Sequence, residues 1–178
     1  MTYVKIYIIG SVGSGKTTLG KKLSQKLMIP HTETDNLTWQ RHPGSDIRNS
    51  EERRGELLNE VLAEEDWLIE GTHIGWTDPV MEDASHIIFL DLPFLIRSWR
   101  VTVRHFKQIS GIEGANYKTD WSMLGKMHRW NTYFEQTMKP EFLMKLKKYP
   151  EKVTVVRSRI ELAKVMEELE TQAVKHDK

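Results

Sequence analysis

The sequence predicts an α/β fold, a parallel sheet of five strands covered by helices on both faces. Three observations predict it. Apolar, β-branched runs alternate with segments of helical period along the chain. Each run is apolar at nearly every position, the pattern of a strand buried on both faces. The first run opens directly into a glycine- and serine-rich loop, and an amphipathic helix follows that loop.

Taken in order, Val4 to Ile9 is the first strand and ends at Gly10. Gly10 to Gly15 is loop. Lys16 to Leu27 is a helix, with Leu19, Leu23 and Leu27 one turn apart and Pro30 just beyond its end. His31 to Thr34 reads as a short second strand. Asn36 to Asn49 is polar, contains Pro43 and Gly44, and reads as loop. Ser50 is an N-cap for a helix running to about Glu65, with Glu51 and Glu52 where carboxylates suit the helix dipole. Trp67 to Glu70 and Ile87 to Leu90 are the third and fourth strands. Phe94 to Ile109 is helical, and Gly111 and Gly114 break it. Asp120 to Lys148 is helical in pattern, interrupted by Pro140. Val153 to Val156 is the fifth strand, and a helix from Ile160 to about Lys175 closes the pattern.

Composition narrows the function classes. The chain has 178 residues, 39% hydrophobic and 29% charged, an ordinary globular mixture. Lysine and arginine number 26 against 25 acidic residues, so the net charge is +1. A globally basic nucleic-acid binder is not indicated, no nucleic-acid motif is present, and only a local basic face is left open. There is no cysteine, which excludes disulfides, thiolate metal sites and thiol catalysis. No apolar run approaches the ~18 residues of a membrane span, and the first residues do not read as a secretory signal. The expectation is a cytoplasmic protein without a membrane partner. Charge is unevenly placed. Glu51 to Glu70 holds eight acidic and two basic residues, and Arg97 to Lys148 holds eleven basic and four acidic. Solvated helix faces explain both; a basic segment closing over something anionic is the functional alternative.

Gly10-Ser11-Val12-Gly13-Ser14-Gly15-Lys16-Thr17 fits G-x-x-x-x-G-K-[ST] at every fixed position. The glycines let successive N–H groups turn inward onto phosphate oxygens, and the helix start adds partial positive charge. Lys16 is placed to reach the β- and γ-phosphates, and the Thr17 hydroxyl suits Mg²⁺. ATP and Mg²⁺ are therefore the expected cofactors.

With these elements in view, the chain resembles the P-loop kinases of the adenylate kinase and shikimate kinase type. The likeness runs from Lys5 to about Ala173. Within that type it resembles bacterial proteins labelled DNA topology modulation (FlaR-related) proteins. The residues that carry this are the loop through Thr18, Asp35-Asn36-Leu37 with Trp39, Trp67-Leu68-Ile69-Glu70-Gly71, Leu90-Asp91-Leu92-Pro93 followed by Arg97, Arg100 and Arg104, and the segment Trp130-Asn131 to Phe142. The resemblance implies a three-layer P-loop NTPase fold, strand order 2-3-1-4-5, with a helical lid. Residues 1–178 would form a single kinase-like domain, 36–66 the acceptor-side segment and about 97–148 the basic lid.

It also implies roles. Gly10, Ser11, Gly13, Ser14, Gly15, Lys16, Thr17 and Thr18 would hold the nucleotide. Arg100 would lie over the base and Arg104 would reach the phosphates, with Arg157 on the adenine side. Ser158 either shares that contact or caps the last helix. Glu33-Thr34-Asp35 matches an acidic pair at D-x-D spacing, both carboxylates on one side of a strand. Asp35 would then hold or deprotonate the acceptor hydroxyl. Glu33, Glu70 and Thr17 would serve the metal and its water shell. Asp91 matches a structural acid. Arg54 and His73 would face the acceptor. His73 stands where nucleotide-monophosphate kinases have a proline-arginine pair, and the triple glycine of shikimate kinases is absent, which argues against both acceptors. Trp39, Trp76, Trp99, Trp121 and Trp130 could stack a base, but for most of them packing in the core or lid is favoured. Two functions compete. One is a kinase transferring the γ-phosphoryl group of ATP to a small molecule. The other is an ATP-dependent switch acting on DNA topology or a protein partner, with the basic segment as contact surface.

Overall fold

In the computed structural model, which describes residues 4–40, 42, 46–114 and 120–176, the expected sheet is present. Its strands are β1 (Lys5–Gly10), β2 (His31–Glu33), β3 (Trp67–Gly71), β4 (His86–Leu90) and β5 (Val153–Val156). All neighbouring pairs are parallel, in the order β2-β3-β1-β4-β5, so the 2-3-1-4-5 arrangement is observed.

Alternation along β1 divides the core. Ile6 and Ile8 face α1 (Lys16–Leu27) and α8 (Arg159–His176), packing with Leu19, Leu23, Val165 and Leu169. Tyr7 and Ile9 face the other layer, with Leu58, Trp67, Phe89, Phe134 and Phe142. That layer is built from α3 (Glu51–Leu62), α4 (Asp78–Asp83), a π-helical turn at Phe134–Met138 and α7 (Lys139–Leu146); α6 (Trp121–Tyr133) packs on α5 (Phe94–Ile109). β1 is buried from Ile6 onward, so an apolar residue at each position is what both layers require. No helix among the described residues is long and apolar enough to cross a membrane.

Several expectations need correction. Asn36 to Asn49 is not all loop. Thr34–Thr38 forms a short helix, α2, and Trp39–Gln40 pairs antiparallel with Ile47–Arg48. Asn49 stitches the segment together, its side-chain N–H donating to the Leu37 carbonyl at 2.9 Å and its backbone N–H to that of Thr38 at 2.9 Å. Pro43 and Gly44 lie outside the described residues. Ser50 does cap α3, accepting from the Arg53 N–H at 3.1 Å, and the helix ends at Leu62. α4 has no counterpart in the sequence reading; Pro79 occupies its first turn, where the missing N–H costs nothing. Pro140 does not end the long helix. A π-helical turn, Phe134–Met138, absorbs the change of register, and Pro140 lies in the first turn of α7. α5 (Phe94–Ile109) agrees with expectation. Of the tryptophans, Trp76 packs against the core and Trp121 packs on the rings of His105 and Phe106, while Trp99 and Trp130 are largely exposed; Trp67 is fully buried.

α1 ends on Met28, whose φ of +55° puts a side-chain-bearing residue in the left-handed region. Its side chain is 86% exposed and packs on little. Glycine at this cap removes the steric cost of ~1–2 kcal/mol. Met28→Gly is therefore expected to raise stability by about 1 kcal/mol, less than the full cost because glycine also loses more entropy on folding. Thermal denaturation should show the midpoint rising ~2–4 °C.

Candidate functional site

The carboxyl ends of the parallel strands collect the site, since every connection leaves the sheet there before crossing to the next strand. The phosphate loop leaves β1. Gly13 and Gly15 take φ of +74° and +97°, open to glycine at little cost. A Cβ on Gly13 would come within 2.7 Å of the Arg97 carbonyl oxygen, so α5 rests directly on the loop backbone. The Ser14 N–H closes a turn onto the Ser11 carbonyl at 3.2 Å. Lys16 lies back over the loop, its Nζ donating to the Ser11 carbonyl at 3.2 Å. Burial pushes the Lys16 ammonium below its usual range; Glu70 and Asp35 oppose that shift and Arg104 adds to it. The buried Ser14 hydroxyl has no hydrogen-bond partner among the described residues. Thr17 is half-buried and Thr18 exposed, in the first turn of α1. Left-handed glycines, an unpaired hydroxyl and a desolvated ammonium at a helix start fit a polyphosphate.

The carboxylates are divided. Glu33 and Glu70 are register partners on β2 and β3, and therefore share one face of the sheet. Glu70 is buried, with His31 Nε2 at 3.3 Å, and neither of its carboxylate oxygens has a hydrogen bond from the described residues. Burial first, and then Glu70, holds the Glu33 carboxyl above its usual range. Among the described residues no three His, Asp or Glu side chains converge as a metal cage. Mg²⁺ keeps several waters and takes one or two carboxylates besides phosphate oxygens, which Thr17, Glu33 and Glu70 fit.

Asp35 does not share a strand face with Glu33, because β2 stops at Glu33 and Asp35 opens α2. It is 68% exposed, and His73 Nε2 lies 3.9 Å away. His73 Nδ1 meets the Thr34 hydroxyl at 2.9 Å. Burial lowers the His73 pKa, Asp35 opposes this, and Arg54, Lys16 and Arg48 reinforce it. Gly71 makes room for Thr34, since a Cβ there would overlap the threonine hydroxyl. A cavity of about 430 Å³ opens beside this group, lined by Arg48, Glu51, Arg54, His73, Ile74 and Trp76. Arg54 is buried, 3.3 Å from Glu51, with its guanidinium carbon 5.3 Å from the Trp76 ring centre.

The three arginines of α5 do not share one face in the way their spacing suggests. Arg97 turns inward, pairs with Glu135, and lies over the rings of Phe94 and Phe134. Arg100 Nη1 donates to the Ser14 carbonyl at 3.2 Å, and Arg104 reaches the Met127 sulfur at 3.4 Å. Burial, then Arg159, lowers the Arg100 pKa. Arg100, Arg104 and Arg157 line a second cavity of about 620 Å³ with Leu92, Trp99 and Ser158. Ser158 also caps α8, accepting from the Glu161 N–H at 3.2 Å. Asp91 is structural as expected, paired with Lys139 at 2.6 Å and Arg157 at 3.6 Å. Lys139 and Lys145 are held by Asp91 and Asp78, so much of the basic segment is neutralised internally.

Asn131 carries more than the sequence reading assigned to it. It is fully buried on α6, accepts from the Ser11 hydroxyl at 3.1 Å, and donates to the Ser98 hydroxyl at 2.8 Å. One amide thus ties the phosphate loop to α5 and α6. Arg48 and Arg159 were also missed. Both are cavity-lining arginines in loop-like sequence, and only the fold places them.

Comparison with known proteins adds to this geometry. The shikimate kinase family model matches residues 12–59. Over its full length the structure is similar to the shikimate kinase from Acinetobacter baumannii in complex with shikimate. The TM-score is 0.60 at 15% identity, covering 99% of this chain and 96% of the other. The chain has a P-loop kinase-like fold. An uncharacterized protein of Bacillus subtilis (strain 168), YqaC, is 34% identical over 103 residues, covering 58% of this chain and 57% of its own length. A shikimate kinase of Paracidovorax citrulli (strain AAC00-1) is 40% identical over 62 residues, covering 35% of this chain and 33% of its own. The matches thus span from a third to just over half of these curated relatives.

The raised Glu33 value fixes a sign. The folded protein holds this proton more tightly than the unfolded chain. That contribution is complete below the ordinary value of 4.5 and drains away as pH rises through the folded value. Glu33→Gln is expected to flatten this decline and to make the nucleotide-free protein more stable than wild type at neutral pH. Urea denaturation across pH 4 to 8 measures both, and an unchanged pH profile would contradict the carboxylate pairing.

Proposed function

We propose that this protein is a kinase that transfers the γ-phosphoryl group of Mg-ATP to a hydroxyl of a small acceptor. One observation carries the reading: the loop before α1 turns through left-handed Gly13 and Gly15, leaves the buried Ser14 hydroxyl without a partner among the described residues, and starts α1 on Lys16, whose Nζ lies back over the loop at 3.2 Å from the Ser11 carbonyl. Two cavities bear on this reading: Arg100, whose Nη1 donates to the Ser14 carbonyl, lines the arginine-rich one, and His73, 3.9 Å from Asp35, lines the other. Bound Mg-ATP supplies the phosphoryl group and the cation that spreads its charge.

The chain's own residues do the rest. N–H groups of the loop from Gly10 to Thr18 hold the phosphates. Lys16, Arg100 and Arg104 stabilise the charge that develops on the transferred group, which is most of what this chemistry demands. Thr17, Glu33 and Glu70 orient the metal and its water shell. Arg157 closes the base side. Asp35 accepts the acceptor's proton, and Arg54 and His73 hold the acceptor in the smaller cavity. Residues 36–66 form the acceptor side, and about 97–148 form a lid that excludes water as a rival acceptor. The shikimate kinase matches support the phosphotransfer class. The internal pairing of Arg97, Lys139 and Lys145 leaves less free charge for the alternative of a DNA-acting switch.

The experiment is ADP release from Mg-ATP across a panel of nucleosides, nucleotides, sugars and hydroxy acids. One class of acceptor should stimulate release. Lys16→Ala should reduce that stimulation roughly 10²–10³-fold, the loss expected on removing one preorganised charge-stabilising donor. A flat panel, or a Lys16→Ala protein as active as wild type, would refute the proposal.

A further inference from the structure

Asn131 is a destabilising choice where it stands. It is fully buried in the continuous helical run of α6, the π-helical turn and α7. Asparagine is a weaker helix former than leucine, and a buried amide costs stability unless its polar atoms are bonded. Leucine would suit both helix and core better. What the amide gives instead is three hydrogen bonds. It accepts from the Ser11 hydroxyl at 3.1 Å, and donates to the Ser98 hydroxyl at 2.8 Å and to the Phe94 carbonyl at 3.4 Å. The π-helical turn lets the run aim Asn131 at the loop while Phe142 and Leu146 stay in the core, and such turns recur at functional sites.

Each end of this bond set leads to a cation. Ser11 begins a tight turn, and its carbonyl accepts both the Ser14 N–H and the Lys16 ammonium, each at 3.2 Å. The Ser14 carbonyl accepts from Arg100 at 3.2 Å. Lys16 and Arg100 thus rest on two carbonyls of one turn. Ser98 precedes Arg100 by two residues on α5, so Asn131 spans from that turn to the helix that carries Arg100. We infer that Asn131 is a positioning residue for polyphosphate: it holds the Ser11–Ser14 turn, and with it Lys16, in register with Arg100. The inference rests on the proposed function in one respect, that the loop binds a chain of phosphates. Being fully buried, Asn131 acts through Ser11 and Ser98 and not by touching the ligand. Its neutrality matters. Nearby, the same helical run is tied down by ion pairs, Glu135 with Arg97 and Lys139 with Asp91. A carboxylate beside the turn would draw on the charge of Lys16 and Arg100. An amide holds the turn and leaves both charges to the phosphates.

Calorimetric binding of inorganic triphosphate to the full chain tests this without an acceptor. Wild type should bind, and Lys16→Ala should bind far more weakly. Asn131→Leu combined with Ser11→Ala removes the bond and strands no buried serine hydroxyl, so its melting temperature should stay near wild type. Its triphosphate affinity should nevertheless fall roughly 5–10-fold, the scale of one hydrogen bond. Ser11→Ala alone should lose as much as the pair, because both changes act through the same bond. Ser98 is half-buried and tolerant of change. Ser98→Ala should weaken binding, and Ser98→Thr, which keeps the hydroxyl, should restore it. Variants of Asn131 that bind triphosphate as wild type does overturn the inference, whatever happens to their melting temperature. So does additivity of the Asn131 and Ser11 effects, or a Ser98→Thr chain that binds no better than Ser98→Ala. A wild-type chain that binds neither triphosphate nor ATP would remove the kinase reading itself, and this inference with it.

Discussion

Everything at the site depends on a backbone-to-backbone contact. The phosphate loop and α5 touch where Gly13 meets the carbonyl of Arg97, and there is room for a hydrogen and no more. Such closeness fixes the height and rotation of α5 over the loop. Arg100 is then in reach of the Ser14 carbonyl. It also obliges the Arg97 side chain to turn into the interior, where Glu135 neutralises it and two aromatic rings cover it. Asn131 bonds to Ser11 and Ser98 across the same junction. Loop, α5 and α6 are consequently one packed unit, and the phosphate-binding curve is held from outside as well as by its own glycines.

Like charges gather at the carboxyl edge of the sheet. Glu33 stands beside Glu70, and Arg100 feels Arg159. Other charged groups are matched: Lys5 with Asp83, Lys145 with Asp78 and, at the same edge, Lys139 with Asp91. Matched pairs add little net stability and ask for no ligand. Unmatched ones cost stability in the empty protein, and a ligand of opposite sign relieves that cost. Cations suit the Glu33 side and anions the Arg100 side, the two signs that a nucleotide–metal complex presents.

The sheet and the phosphate loop were legible because their signals are local. β1 is apolar at each step, and the glycines sit at fixed intervals before Lys16. The site beyond the loop was less legible, for physical reasons. Which of Arg97, Arg100 and Arg104 turns inward depends on Glu135, which lies 38 residues beyond Arg97 and carries no mark of that role. α2 is held by the side chain of Asn49, so residues 34–38 look like loop when read alone. Thr34 can seat its hydroxyl against His73 because Gly71 lacks a side chain, a pairing visible only across two strands. Trp99 and Trp130 stay largely exposed although size and apolarity suggest packing, because nothing local says which face of a helix is covered.

The π-helical turn at Phe134–Met138 has a consequence for how this chain tolerates length change. It holds one residue more than an α-helical path would, and so divides a long helix into two phases. Each residue of an α-helix turns the next by roughly 100°. Phe134 and Asn131 keep one phase, while Phe142 and Leu146 keep the other, and all four are buried. Losing a single residue from the turn would restore a regular helix. It would also swing Phe142 and Leu146 off the core and carry Lys139 away from Asp91. The extra residue is the vernier that lets one helix serve the phosphate loop at one end and the sheet at the other.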